Sequence, residues 1–228
     1  MQRITVIIPA YNEEKSIGLV INDIPKNLVH EIIVVNNNST DQTAAKAQEA
    51  GATVLHQPLQ GYGNACLKGL AFVQESEKKP DIVVFLDADY SDHPEEMEKL
   101  LTPIFNQKAQ MVIGSRALGK REKNSMMPQQ IFGNLLATKL LYLFYGVKYT
   151  DLGPFRAITY TALTQINMQD KTYGWTVEMQ LKAAKLKIPA TEIAVSYRRR
   201  IGTSKISGTV KGTVLAGYKI ITTIFKYL

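Results

Sequence analysis

Apolar and polar positions alternate in blocks along the first half of the chain. Short β-branched runs ("ITVIIPA", "HEIIVVN", "ATVLHQ", "DIVVFLDAD" and "AQMVIGSR") are separated by stretches whose apolar residues recur at helical spacing: "EEKSIGLVINDI", "STDQTAAKAQEAG", "NACLKGLAFVQES" and "PEEMEKLLTPIF". The strand runs are almost continuously apolar, as strands are when helices cover both faces of a sheet. Four or five strand-then-helix units predict a parallel sheet with right-handed crossovers, hence an α/β fold. The punctuation agrees. Ser39 or Thr40 stands where it would cap the second helix, Gly51 follows that helix, and Pro94 sits in a first helical turn.

After Arg116 the rhythm breaks. "ALGKREKNSMMPQQ" reads as a surface loop and Gln129 to Tyr145 as a long apolar helix. "DLGPFRAIT" follows with no element assigned, then a helix around "WTVEMQLKAAKLK", a strand "ATEIAVSYR" and a basic C-terminal segment. There is no internal repeat. The chain reads as one fused unit with a regular half over 1–116, an irregular half over 117–207 and an amphipathic basic helix over 208–228.

Composition narrows this picture. At 228 residues and 45% hydrophobic, the chain can bury one large core. Its longest apolar run, Ile131 to Val147, contains Asn134 and Lys139, so no transmembrane helix is expected. "MQRITVIIPA" reads as a strand, not as a signal peptide, and a cytoplasmic protein is expected. Cys66 is the only cysteine, which excludes an intrachain disulfide and argues against a Cys-based zinc site.

The net charge of +7 is uneven. From Lys185 to Leu228 nine Lys and Arg face one acid, Glu192; the rest of the chain has eighteen cations against nineteen acids. Such a tail suits phosphates, an anionic lipid surface or nucleic acid, and a solvated basic face is the plainer alternative.

In an open parallel sheet, ligands bind beyond the carboxyl ends of the strands. "PAYNEE", "NNNSTD", "PLQGYGNA", "DADYSD" and "GSR" meet there. Asp87 and Asp89 lie two residues apart, so a straight strand would point both carboxylates one way. Hard oxygens in an open geometry suit Mg²⁺ or Mn²⁺ held together with substrate phosphates. The competing reading is that they merely end the strand and precede a helix. In "GYGNA", Gly61 and Gly63 could bring amides close to a phosphate, or simply form a loop. "YRRRIGTSKIS" offers Arg198, Arg199, Arg200 and Lys205 to a diphosphate or a lipid phosphate. Nucleic acid is the weaker partner, because only Tyr197 lies near as a stacking platform. His30, His56 and His93 lack metal-ligand spacing.

From Ile4 to Ser207 these motifs resemble, in order, those of the inverting, metal-dependent glycosyltransferases of family 2. The branch is that of dolichyl-phosphate mannose synthase and related polyprenyl-phosphate sugar transferases. The resemblance implies a single GT-A (Rossmann-like) domain with a mainly parallel central sheet and a C-terminal acceptor-side region. It implies a nucleotide-sugar donor, UDP- or GDP-linked, with Pro9, Tyr11 and Glu13 at the base and ribose. Asp87 and Asp89, with Ala88 between them, would hold Mg²⁺ or Mn²⁺ and the diphosphate. Arg116 would approach the sugar phosphate, Arg156 the acceptor, and Arg199 with Lys205 the donor diphosphate or acceptor phosphate. The family's glutamine after the acid pair is Ser91 here, with Asp92 next to it. The family's acid that binds the imide of the base is Asn36, which keeps an acceptor oxygen without the charge.

Glu178 stands where hydroxyl-directed branches carry a base. An ionised lipid phosphate needs none, and the basic segment gathers where such an acceptor would be held. The tail, with apolar residues and spaced lysines, could rest peripherally on a membrane, or pack on the core or on a second copy. Rival functions are a family 2 transferase acting on a hydroxyl, a nucleotidyltransferase, and a basic nucleic-acid-binding module. The nucleotidyltransferase would want a glycine-rich basic loop after the first strand, which "PAYNEE" is not. For the third, tight salt-sensitive nucleic-acid binding would be the signature.

Overall fold

The computed structural model describes residues 2–203 and 209–228. In chain order the elements are β1 (Ile4–Ala10), α1 (Ile17–Asp23), β2 (Glu31–Asn36), α2 (Thr43–Glu49), β3 (Thr53–His56), α3 (Tyr62–Glu75) and β4 (Ile82–Phe85). A 3-10 turn, Pro94–Glu96, leads into α4 (Met97–Phe105), followed by β5 (Met111–Ser115), α5 (Pro128–Tyr145), β6 (Arg156–Thr159), α6 (Tyr160–Ile166), α7 (Trp175–Lys185), β7 (Ala190–Ala194) and α8 (Val210–Lys226). The strands form one seven-stranded sheet in the order β3-β2-β1-β4-β6-β5-β7. Every pairing is parallel except those of β6, which runs antiparallel to both β4 and β5.

The pleat explains the continuous apolar runs. Val6 and Ile8 of β1 join Val34 and Val84 under α1 and α4, with Ile17, Ile21, Leu100 and Leu101. Ile7 points the other way, joining Ile33, Val83 and Phe85 under α3 and α7. Successive strand side chains thus feed opposite cores. A third, smaller core joins α5, α7 and α8 through Ala137, Leu141, Val177, Leu181 and Ile224.

Two local expectations change. α2 starts at Thr43, so neither Ser39 nor Thr40 caps it. Ser39 Oγ instead accepts the Asn12 amide at 3.0 Å, and Asp41 Oδ1 accepts that of Thr43 at 3.0 Å. β6 forms within "DLGPFRAIT" and α6 follows it, so strands from both halves of the chain share one sheet. α8 packs on α5 and α7, yet leaves Val214, Leu215, Tyr218 and Phe225 exposed. Among the described residues no helix is long and apolar enough to cross a membrane.

Candidate active site

β4 carries the chain to the rim of the sheet. It ends at Phe85, opposite Ile7 of β1 and Arg156 of β6, so Asp87 and Asp89 stand in the turn beyond the strand rather than on it. Tyr90 takes φ 65° in this turn. Asp89 Oδ1 accepts the Ser91 amide at 2.9 Å and also the Ser91 hydroxyl, so Ser91 steadies the acid from behind. Asp87 Oδ1 accepts the Tyr62 hydroxyl at 3.0 Å. Burial, and then the neighbouring charge of Asp89, push the Asp87 carboxyl up to about 7.

Arg200 closes the arrangement. Its Nη2 lies 2.7 Å from Glu13 Oε1 and its Nη1 3.0 Å from Asp89 Oδ2, while its buried Nε has no hydrogen-bond partner among the described residues. Around these groups opens a cleft of about 290 Å³, with Pro9, Tyr11, Asn37, Gly61 and Tyr173 in its walls and Ala88 between the two acids. A larger open cleft of about 740 Å³, beside Arg3, His30, Glu31, Thr53 and Lys78, lies at the other end of the strands, away from the acid pair.

The acid pair fits a divalent cation. Two carboxylates crowd together, one is driven towards its neutral form, and the Arg200 and Arg116 guanidinium groups offset only part of the charge. Among the described residues no group of three or more His, Cys, Asp or Glu could hold a metal alone. An ion here would therefore complete its shell with oxygens of a bound ligand, as Mg²⁺ and Mn²⁺ do with phosphates. Asp92 is buried beside the pair; among the described residues both its oxygens lack hydrogen-bond partners, and burial with the Asp87 and Asp89 charges raises its pKa well above the usual carboxylate range.

Pro9, Tyr11, Glu13, Asp87, Ala88 and Asp89 thus meet in one cleft. The others do not. Asn36 lies outside the lining, with its Oδ1 accepting the Ser39 amide at 3.0 Å; the neighbouring Asn37 lines the cleft and accepts the Gly61 amide at 2.8 Å. Gly63 offers no amide to a phosphate, because its N–H is donated to Thr172 O at 3.2 Å. Arg116 is tied to Asp151 by two bonds of 2.9 and 2.6 Å and stacks 5.1 Å from the Tyr197 ring centre. Burial opposes its charge, but Asp151 outweighs this and its pKa rises.

Arg156 is wholly buried, its guanidinium spread over the carbonyls of Leu152, Gly153 and Thr176, and burial lowers its pKa to about 10. A side chain committed to three carbonyls is not free for an acceptor. Glu178 is also fully buried; it takes the Asp170 amide at 2.7 Å, the Tyr227 hydroxyl at 2.7 Å and Lys182 Nζ at 2.7 Å, and lies outside the cleft lining. Arg199 turns away to Lys123 O at 2.8 Å and, through its amide, to Glu122 at 2.8 Å. Lys205 lies outside the described residues.

Asn37, Tyr62 and Tyr173 are site residues that the sequence motifs do not single out, and of the basic cluster it is Arg200, not Arg199, that reaches the cleft. For Arg200 a signal existed: in extended chain, alternate residues face opposite ways. With Arg199 directed to the 122–123 segment, Arg198 and Arg200 take the other side, Arg198 over Tyr90 and Arg200 at Glu13 and Asp89.

The sequence pattern described as "Glycosyl transferase family 2" matches residues 5–167. The chain is similar to undecaprenyl-phosphate mannosyltransferase of Micrococcus luteus, 30% identical over 227 residues, covering 92% of this chain and 90% of that protein. It is also similar to UDP-N-acetylglucosamine–dolichyl-phosphate N-acetylglucosaminyltransferase of Methanococcus voltae, 29% identical over 231 residues, covering 90% and 91%. Among solved structures it resembles glucosyl-3-phosphoglycerate synthase from Mycobacterium tuberculosis in complex with Mn²⁺, uridine diphosphate and phosphoglyceric acid. There the TM-score is 0.79 at 23% identity, over 99% of this chain and 78% of that one.

Proposed function

Because the chain belongs to glycosyl transferase family 2 and is a glycosyltransferase of GT-A fold, we propose that it moves a sugar from a nucleoside diphosphate to a polyprenyl-type lipid phosphate. The observation that carries this reading is the cleft in which Asp87, Asp89 and Arg200 converge between Tyr11 and Tyr173. Asp87 and Asp89 would hold Mn²⁺ or Mg²⁺, which would supply positive charge to offset that of the donor diphosphate as it leaves. Pro9, Tyr11, Asn37 and Tyr173 enclose the base and ribose. Glu13 keeps Arg200 at the edge of the diphosphate site, where the guanidinium can exchange Asp89 for a phosphate oxygen. An acceptor oxygen attacks the anomeric carbon from the face opposite the leaving diphosphate, so the new C–O bond forms with inversion. A phosphate acceptor is already ionised at neutral pH and has no proton to lose.

Three observations support a lipid acceptor. Glu178, which the resemblance puts in the place of a base, is occupied by amides, Lys182 and Tyr227. Two relatives similar over about nine tenths of the chain are named for transfer to polyprenyl phosphates. α5 and α8 expose Phe132, Leu135, Leu143, Val214 and Tyr218, and the loop that leads into α5 carries the exposed Lys120, Arg121 and Lys123. Apolar faces flanked by cations suit an anionic membrane surface. A phosphate-bearing soluble acceptor is the second reading, and phosphoglyceric acid in the glucosyl-3-phosphoglycerate synthase complex is its example.

Thermal-shift measurements with UDP- and GDP-sugars, with and without Mn²⁺, test the donor half. Metal-dependent stabilisation of the wild type, lost in Asp89→Asn, is expected; at a hundredfold excess over Kd it amounts to roughly 2.7 kcal/mol. No metal-dependent shift with any nucleotide sugar would sink the donor assignment. Transfer to polyprenyl phosphate and to 3-phosphoglycerate, run in parallel with the donor that binds, decides the acceptor.

A further inference from the structure

The last helix is tied to the donor cleft by contacts that sugar transfer does not itself require. On α8, Lys219 Nζ lies 2.9 Å from Asp170 Oδ2. Just past α8, Tyr227 donates its hydroxyl to Glu178 at 2.7 Å. Both acids are buried, and both organise a single loop, residues 169–174. Asp170 Oδ1 accepts the amides of Thr172 at 2.8 Å and Gly174 at 3.0 Å, while Glu178 accepts those of Gln169 and Asp170. α8 also abuts the loop directly: a Cβ on Gly174 would come 2.6 Å from Thr223 Oγ1.

The other side of this loop backs the cleft. Thr172 O and Lys171 O accept the amides of Gly63 and Asn64 at 3.2 and 2.9 Å. The approach is close enough that a Cβ on Gly61 or Gly63 would come 2.3 Å from Lys171 O or 2.0 Å from Asp170 O. Tyr62, between these glycines, is the donor to Asp87 at 3.0 Å, and Tyr173 of the loop is itself part of the wall. A path without a gap therefore runs from Lys219 through Asp170, the 170–172 backbone, Gly63 and Tyr62 to Asp87.

We infer that Asp170 and Glu178 are positioning residues for the donor site, and that α8, through Lys219 and Tyr227, holds the cleft in its binding shape. Glu178 has a second cation, Lys182 of its own helix, at 2.7 Å. Asp170 is paired with Lys219 of α8. Once that cation is removed, a buried carboxylate needs water, and the loop must open to admit it. The glycine turn and Tyr62 then lose their backing, and Asp87 is no longer oriented.

The inference rests on the donor-site reading, and the paired variant Lys219→Met with Tyr227→Phe tests it in the full chain. Nucleotide Kd in the presence of Mn²⁺, by titration calorimetry, should weaken roughly five- to tenfold. The Gly63 and Asn64 amides should exchange hydrogen faster, and the acceptor KM should stay unchanged. Lys219→Arg, which keeps the cation, should bind nucleotide within about twofold of wild type. A folded paired variant with wild-type nucleotide Kd overturns the inference, whatever its exchange rates. If the pair does not fold, Lys219→Met alone applies the same criterion. A wild type that binds no nucleotide defeats the donor reading instead, and the exchange of Gly63 and Asn64 still reports whether α8 holds the turn.

Discussion

Arg198, Arg199 and Arg200 carry the same charge on three consecutive residues, yet they serve three different partners. Arg198 lies over the Tyr90 ring, 3.3 Å from its centre, and donates to Tyr90 O at 2.6 Å; Arg199 binds the 122–123 backbone and side chain; Arg200 joins Glu13 to Asp89. The sequence exposes the cluster and its affinity for phosphate, but the member that faces the cleft follows from the direction of one segment after Tyr197. Arg200→Met separates its two partners. Mn²⁺ alone should bind at least as tightly as to wild type, because Asp89 loses a competing cation, while nucleotide affinity should fall about tenfold or more with the lost charge-assisted bond. Calorimetry with the ion and then with the nucleotide reads both; an equal weakening of the two would reduce Arg200 to a structural role. Asp87 and Asp89 were legible from their spacing, although the turn that presents them depends on Ser91 and Tyr62.

Among the elements, β6 is the clearest departure from the sequence pattern. It is only four residues long, carries Arg156, and enters antiparallel between β4 and β5. Short length and a buried cation hide a strand from any reading based on apolar runs. What makes it tolerable is tertiary: the carbonyls of Leu152, Gly153 and Thr176 receive the guanidinium. The start of α3 shows the same dependence. Its glycines suggest a phosphate turn, whereas Gly63 is small because the 170–172 backbone presses on it. Gly63→Ala should therefore destabilise the fold by roughly 1–3 kcal/mol, the usual cost of overpacking, as read by denaturant titration. A phosphate-turn glycine with open space beside it would show no such loss.

On the scale of the whole molecule, α5 and α8 form a second apolar layer outside the sheet. Leu141 and Ile224 are buried between them, and Phe144 and Phe225 meet edge to face at 5.4 Å. Beyond that seam, Phe132 and Tyr218 are each 67% exposed and Leu143 is 72% exposed. Exposed apolar residues grouped on two packed helices suit a contact with a membrane surface or another chain. Wild type should co-sediment with anionic vesicles and less with neutral ones, and Phe132→Asp with Tyr218→Asp should reduce the bound fraction severalfold with an unchanged melting temperature. If instead the vesicles capture nothing and the same variant converts a dimer to monomers, the face belongs to a second copy of the chain.

The sequence by itself determined the α/β fold, the rim where polar strand ends gather, the acid pair and the family, because these follow from local periodicity and from residue types at short spacing. The tertiary structure alone decided which cations reach that rim. Arg116, Arg156 and Glu178 are charged groups in a low-dielectric interior, and each is satisfied by whatever the fold brings near it: Asp151, three carbonyls, and a tyrosine from the last turn of the chain. Burial makes an unpaired charge so costly that partners are chosen by proximity in space. That choice cannot be read along the chain.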